Sequence, residues 1–275
     1  MAQAMLMLMS VSVTVLASGS GGNATVVSST RTRLLIDCGL SCKEMCRRAH
    51  ANGIDPRSLT AILITHEHGD HVGGLHVTAK RLGVPVFMTA ATHGAWQKLF
   101  KDSAGNAVRA ERLELVEAGR RFEVGDVGVL PFTIPHDAAD PVGFTFTLEG
   151  MKLGYATDLG YLPASVREHL RGCDGLVIES NHDLEMLRIG PYPWAVKQRV
   201  MSRVGHLSNE QLAEFLATDY DGGAAFLVLA HLSEQNNEPI RARITAERAL
   251  EGRRDLWKNR ILLASQDDGL QSISL

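Results

Sequence analysis

From residue 9 the chain alternates, with Met9, Val11, Val13 and Val15 set against Ser10, Ser12 and Thr14. A period of two with one apolar face predicts a half-buried strand over 9–17. Further strands are expected over 24–29 and 33–37, and Gly19-Ser20-Gly21-Gly22 supplies the turn between the first two. A helix is expected over 41–51, since Ser41 can cap it and Asn52-Gly53 stops it. Ala61-Ile62-Leu63-Ile64-Thr65 is an unbroken apolar run that reads as a buried strand, and it ends directly in a series of histidines and acids. A further helix, a strand over 84–89 and a helix over 91–100 complete the first half.

The second half repeats this style without repeating the sequence. Strands are expected over 112–116, 121–124, 127–134, 142–148, 152–157, 175–179 and 225–230. Helices are expected over 163–171, 193–204, 208–218 and 238–250, with Ser208 and Gln211 forming a capping-box signature. No linker, low-complexity tract or long charge run divides the chain, so a single domain over 1–275 is expected. Strand-rich segments with interspersed helices in both halves suit two packed sheets flanked by helices, an α/β (α+β) arrangement.

Composition narrows the setting. Apolar residues at 45% and charged residues at 21% provide ample core material and exclude disorder. A net charge of −3 offers no global attraction to nucleic acid, so any polyanion must be met by a local patch. The Met-rich start has no Lys or Arg before its apolar part, unlike an export signal. No run of about 18 apolar residues predicts a membrane span. Cys38, Cys42, Cys46 and Cys173 contain no C-x-x-C pair, and three of them follow a spacing of four around the first helix. Buried, reduced thiols in a cytoplasmic protein are the expectation.

The decisive run is Thr65-His66-Glu67-His68-Gly69-Asp70-His71, with three imidazoles and two carboxylates in six residues after a buried strand. A helix would scatter His66 and His68 to different sides, whereas a loop at a strand end can turn both inward. Neutral imidazole and carboxylate are ligands for Zn2+, Mn2+ and Fe2+. A polar surface loop is the bland alternative, and so dense a group at a strand end argues against it.

His66-x-His68-x-Asp70-His71 resembles the signature of the metallo-β-lactamase superfamily, and the resemblance continues in order along nearly the whole chain. It implies a four-layer αββα sandwich holding two divalent metal ions. The first would take His66, His68 and His136, and the second Asp70, His71 and His231, with Asp158 bridging both. Asp37 matches the acid that braces the metal loop. On their own, His136 and His231 would each read as hydrogen-bonded core histidines; their order and their places at strand ends raise them to ligands.

Narrower segments resemble the YycJ (VicX, WalJ) branch of bacterial metallo-β-lactamase-fold proteins, described as DNA exonucleases of the 5′-to-3′ type. These are Gly19-Ser20-Gly21-Gly22-Asn23, Asp137-Ala138-Ala139-Asp140-Pro141, Glu179-Ser180-Asn181-His182-Asp183, Gly190-Pro191-Tyr192-Pro193-Trp194 and Gly205-His206-Leu207-Ser208. The last also resembles a loop of ribonuclease Z, interrupted here by Leu207, with Glu179 in the place of that enzyme's acid relay. The resemblance thus implies DNA, with RNA as an alternative, as the partner.

Two divalent ions roughly 3.5–4 Å apart can hold a bridging hydroxide and lower the pKa of that water to around 7. Asp70, Glu179 and His206 are then the expected catalytic residues, the last two as the acid pair for the leaving oxygen. Asp37 and Glu67 would accept from ligand N–H groups, and His182 and Ser208 are candidates for substrate or ligand support. Between Glu185 and Arg203 stand Arg188, Lys197, Arg199 and Arg203 against one acid. That stretch either follows a phosphate backbone, with Tyr192 and Trp194 stacking on bases, or is a solvated helix face with Trp194 in the core; both readings stay open. A small-molecule hydrolase for a cyclic phosphodiester, thioester or lactone would use the same metal core. A non-catalytic binding module ranks last, since all seven expected ligands are present.

Overall fold

The computed structural model describes residues 11–102, 104–251 and 260–275. The first strand, β1 (Ser12–Ala17), matches the alternating segment, although the expected positions Met9 and Ser10 lie outside the described residues. It is followed by β2 (Ala24–Ser28), β3 (Arg33–Ile36), α1 (Cys42–Ala51), a 3-10 turn at Pro56–Ser58 and β4 (Ala61–Leu63). Next come α2 (Gly69–Val72), α3 (Leu75–Leu82), β5 (Val86–Thr89), α4 (Ala90–Leu99) and β6 (Leu113–Val116). The second half begins with β7 (Phe122–Val124), β8 (Val127–Thr133), β9 (Val142–Leu148), β10 (Met151–Ala156), α5 (Ala164–Leu170) and β11 (Gly175–Glu179). It ends with α6 (Leu184–Ile189), α7 (Trp194–Val200), α8 (Asn209–Thr218), β12 (Phe226–Ala230), α9 (Pro239–Glu251), β13 (Arg260–Leu263) and β14 (Leu270–Ser274).

The strands form two seven-stranded sheets, β14-β1-β2-β3-β4-β5-β6 and β13-β12-β11-β10-β9-β8-β7. Their inner faces share one core, in which Val13, Leu34, Ile36 and Leu63 of the first sheet meet Phe144, Phe146, Val177 and Val228 of the second. The outer face of the first sheet packs through Leu35, Ile62 and Met88 onto Met45, Leu75 and Trp96 of α1, α3 and α4. The outer face of the second packs through Ile178, Leu227 and Leu229 onto α5, α8 and α9. Sheets covered on both faces need continuous apolar strands, which is why β4, β11 and β12 read as unbroken hydrophobic runs. The result is the expected four-layer αββα sandwich.

Parallel pairing levels the strand ends that matter. Ile36 lies opposite Leu63 in β3 and β4, so Asp37 stands beside the start of the histidine-rich loop. Glu179 lies opposite Ala230 in β11 and β12, so its carboxylate adjoins His231.

Several boundaries differ from expectation. The helix after the metal loop is split, because the chain at Gly74 crosses so close to Leu40 that a Cβ there would lie 1.8 Å from the Leu40 carbonyl oxygen. The helix expected over 193–204 stops at Val200. The chain then folds back so that His206 N donates to the Val200 carbonyl (2.9 Å) and a Cβ on Gly205 would meet the Arg199 and Val200 oxygens. The short helix α6 and the edge strands β13 and β14 were not expected; β14 buries only Ile273, too little to leave an alternating signature. No helix among the described residues is long and apolar enough to cross a membrane.

Cys38, Cys42 and Cys173 are buried free thiols, and Cys46 is half-exposed. Burial pushes the thiols of Cys38 and Cys173 up to about 12. A raised pKa leaves less thiolate at a given pH, roughly one part in ten thousand at pH 8. Burial raises the Cys46 thiol too, but it alone among the four is accessible, so Ellman's reagent at pH 8 is expected to titrate Cys46 alone in the native protein and all four thiols only after unfolding. Rapid native reaction of three or more would contradict the packing of α1.

Candidate metal centre

Every expected ligand sits at or just beyond the carboxyl end of a strand. His66, His68, Asp70 and His71 follow β4, His136 follows β8, Asp158 follows β10 and His231 follows β12. Among the described residues, four non-glycine positions have left-handed backbone, and three of them are Asp37 (φ 59°), Asp158 (φ 60°) and His231 (φ 56°). Such conformations cost on the order of 1–3 kcal/mol each and persist where the surroundings over-determine them. Here they turn three strand ends sharply into one space.

The structure brings His66, His68 and His136 together as one group of donors, and Asp70, His71 and His231 as another. Asp158 also joins His66 and His71. Its Oδ2 lies 3.3 Å from His71 Nε2 and its Oδ1 4.0 Å from His136 Nε2, so it spans both groups. Within the groups, His136 Nε2 is 3.2 Å from His68 Nδ1, His71 Nε2 is 3.4 Å from Asp70 Oδ2 and His231 Nε2 is 3.5 Å from Asp70 Oδ2. Donors about 2.0–2.1 Å from a tetrahedral cation stand about 3.3–3.4 Å apart, so the spacing fits metal ligands. His66 Nε2, His231 Nε2 and Asp158 Oδ2 are buried and have no hydrogen-bond partner, as atoms reserved for a cation would be.

The far side of each ring explains which nitrogen faces inward. His71 Nδ1 donates to Asp37 Oδ2 (2.8 Å), His136 Nδ1 to the Gly205 carbonyl (3.1 Å) and His231 Nδ1 to Glu179 Oε1 (2.9 Å). His66 Nδ1 lies 3.0 Å from Thr65 Oγ1, whose hydroxyl donates to Asp37 Oδ2 (2.9 Å). Asp37 also accepts from Thr65 N (2.9 Å), so one buried carboxylate orients two rings and the loop between them. With Nδ1 engaged, Nε2 is the nitrogen turned into the donor cluster, where a cation would take it once deprotonated.

Glu179 is fully buried, and four N–H groups converge on it. Its Oε1 accepts from His206 Nδ1 (2.8 Å) and His231 Nδ1, and its Oε2 from Leu159 N and Leu207 N (both 3.0 Å). Burial raises its pKa, but the His206 charge and the hydrogen bonds from His206 and His231 prevail and bring it down to about 2. Glu179 is thus an anion that holds both rings. His206 lies with Asp70, Asp158, His231, Tyr192 and Arg199 around a cavity of about 360 Å³.

Three other expected site residues take different places. Glu67 Oε1 accepts from Ala139 N (2.8 Å), pinning the loop that carries His136 instead of bracing a ligand ring. Ser208 is spent as the cap of α8, accepting from Gln211 N. His182 is buried and joins none of the donor groups, and its Nε2 has no hydrogen-bond partner. Lys197, expected among the phosphate-following cations, is buried and donates to the Arg188 carbonyl (2.8 Å). Trp194 is 64% exposed, which removes the reading that placed it in the core.

Sequence reading left Asn23 without a role. Its backbone N donates to the Asp70 carbonyl (2.7 Å), its carbonyl accepts from Gly39 N (3.0 Å) and its Nδ2 reaches Asp70 Oδ2 (3.3 Å). The glycine-rich motif ending in Asn23 was the available signal; its contacts, across 47 residues of chain, were not.

The β-lactamase superfamily domain matches residues 32–232. The chain belongs to the metallo-β-lactamase superfamily. Its metallo-β-lactamase-fold relatives include the exodeoxyribonuclease YycJ of Bacillus anthracis, 37% identical over 83% of this chain and 85% of the relative. The exodeoxyribonuclease WalJ of Streptococcus pneumoniae is 35% identical over 78% of this chain and 79% of its own length. Among solved structures, the metallo-β-lactamase-fold protein YhfI of Bacillus subtilis superposes with a TM-score of 0.72 at 17% identity, covering 97% of this chain and all of YhfI. With this membership comes the activity class, that of a metal-dependent hydrolase.

Two expectations follow. A Cβ on Gly39 would lie 1.7 Å from the Asp70 carbonyl oxygen and 2.8 Å from Asn23 N, so Gly39→Ala must displace Asp70. Divalent-cation affinity, read by competition with a chromogenic chelator, should fall at least about tenfold; wild-type affinity would show that this crossing does not hold the centre. Burial opposes protonation of His71 and His231, but Asp158 and the neighbouring carboxylates prevail and hold both rings well above the usual imidazole range. Each cation-free ring therefore carries a proton that must leave before Nε2 can bind a metal. Affinity should rise, with proton release, as pH goes from about 6 to 8, and a flat profile would contradict this.

Proposed function

We propose that the protein is a dinuclear phosphodiesterase that degrades DNA as an exonuclease of the 5′-to-3′ type, with RNA as a secondary substrate, acting as one domain in the cytoplasm. His66, His68 and His136 would hold one divalent cation and Asp70, His71 and His231 the other, with Asp158 shared. The donor set suits Zn2+ or Mn2+, with Fe2+ also compatible. Bound there, such cations supply a nucleophile at neutral pH by lowering the pKa of water and offset charge on the phosphoryl oxygens.

The observation that carries the reading is the Glu179–His206 pair beside the donors, with His206 Nδ1 3.8 Å from Asp158 Oδ1. Phosphodiester cleavage leaves an alkoxide that needs a proton. Since Glu179 remains ionised, it serves as the acceptor that fixes the His206 ring, and the transferable proton belongs to His206. Arg199 lines the same cavity, and its Nε is tied to Asp137, leaving the terminal nitrogens for a phosphate. The names of the two exodeoxyribonuclease relatives support DNA as the substrate.

Protein stripped and reloaded with Mn2+ or Zn2+ would be given DNA labelled at either end, bis-p-nitrophenyl phosphate and a thioester. DNA should be shortened from its 5′ end. Asp70→Ala should abolish the activity, and His206→Ala should lower kcat by roughly 10²–10⁴-fold. Turnover of the thioester alone, or DNA cleavage surviving in Asp70→Ala, would overturn the proposal.

A further inference from the structure

Exposed apolar side chains are concentrated on one side of the metal centre. Of the eleven large exposed hydrophobics among the described residues, six (Leu184, Ile189, Trp194, Val196, Met201 and Val204) lie between 184 and 204. Ile189 is 79% exposed and Trp194 64%. With Lys197 used inside the fold, the same stretch still presents exposed Arg188, Arg199 and Arg203 against one acid, Glu185, in a chain whose net charge is −3. It is continuous with the site, since Tyr192, Arg199 and Val200 line the cavity that holds Asp70, His206 and His231.

The segment is also held in place. Pro191 and Pro193 flank Tyr192 and restrict the backbone around it. At Gly190 a Cβ would lie 2.5 Å from Asn236 Oδ1, so this turn rests against the loop that follows His231. Lys197 closes the turn from inside by donating to the Arg188 carbonyl. An aromatic side chain on a fixed backbone loses little freedom when it meets a flat partner.

We propose that the 184–204 rim is a single-strand platform, on which Trp194 and Tyr192 stack the unpaired bases nearest the cleavage point while Arg199 receives the adjoining phosphate. This rests on the nuclease reading above and adds the form of the substrate. Bases offer their faces only where they are unpaired or terminal, and base–aromatic stacking accepts any sequence, as suits an enzyme that digests from an end. Local positive charge meets the backbone. The alternative occupant, a second copy of this chain, is disfavoured because a two-fold contact through this patch would press one arginine-bearing rim against another.

The test measures binding without catalysis. Metal-stripped wild-type, Trp194→Ala, Trp194→Phe and Tyr192→Ala proteins are titrated with fluorescently labelled oligothymidylate and with a blunt duplex. Anisotropy and tryptophan emission are read, and thermal unfolding is checked for each variant. Wild type should prefer the single strand and lose tryptophan emission on binding. Trp194→Ala should weaken binding by about 5- to 100-fold, and in the reloaded enzyme should raise KM for the oligonucleotide more than it lowers kcat. Trp194→Phe should recover most of the affinity without the emission change. If wild type cleaves DNA but Trp194→Ala binds and cleaves equally well, the platform is wrong and the nuclease reading survives. The same holds if Trp194→Ala converts a dimer to a monomer in sedimentation with oligonucleotide binding intact. A wild type that neither binds nor cleaves DNA overturns both.

Discussion

The centre depends on the carboxylate of Asp37, fully buried at the end of β3, where no water can satisfy it. It is satisfied by the backbone and hydroxyl of Thr65 and by the ring of His71. Burial raises the Asp37 carboxyl pKa, and a buried polar group left without partners costs about 1–3 kcal/mol, so the loop after β4 must lie where those donors reach Asp37. In that position His66 and His71 turn their inner nitrogens toward one point. The packing of β3 against β4 thereby fixes an electronic property, the tautomer of two rings, some distance from the core.

Three strand ends adopt left-handed backbone in the same neighbourhood, two bearing donors and one bearing Asp37. Two sheets of ordinary apolar strands provide the rigidity that holds them. Phe144, Phe146 and Val228 fill the space between the sheets, so the donors of the first sheet and those of the second cannot drift apart without opening the core. Apolar burial, which carries no chemistry, thus sets the distance between His71 and Asp158.

The histidine run was legible because its candidate donors are crowded into six residues, and its order relative to His136, Asp158 and His231 made the rest of the family pattern recognisable. The strands that carry these residues were legible for the same reason they are buried, as continuous apolar stretches. Other features depended on contacts that no local pattern encodes. Glu67 stands between two ligands in the chain yet faces the loop at Ala139. Lys197 is a cation whose ammonium is used inside the fold, and Trp194, apolar by composition, is exposed. Helix α7 is shorter than its propensity because His206 N takes the carbonyl at its end, an interaction that serves the placement of His206 more than that of the helix.

Glu179 joins two rings through one oxygen atom, His231 within the donor cluster and His206 beside the cavity. Two donors on one oxygen are not independent, because moving either ring shifts the acceptor beneath the other. The proposed proton donor and one proposed metal donor thus share a single support, and neither can be repositioned alone.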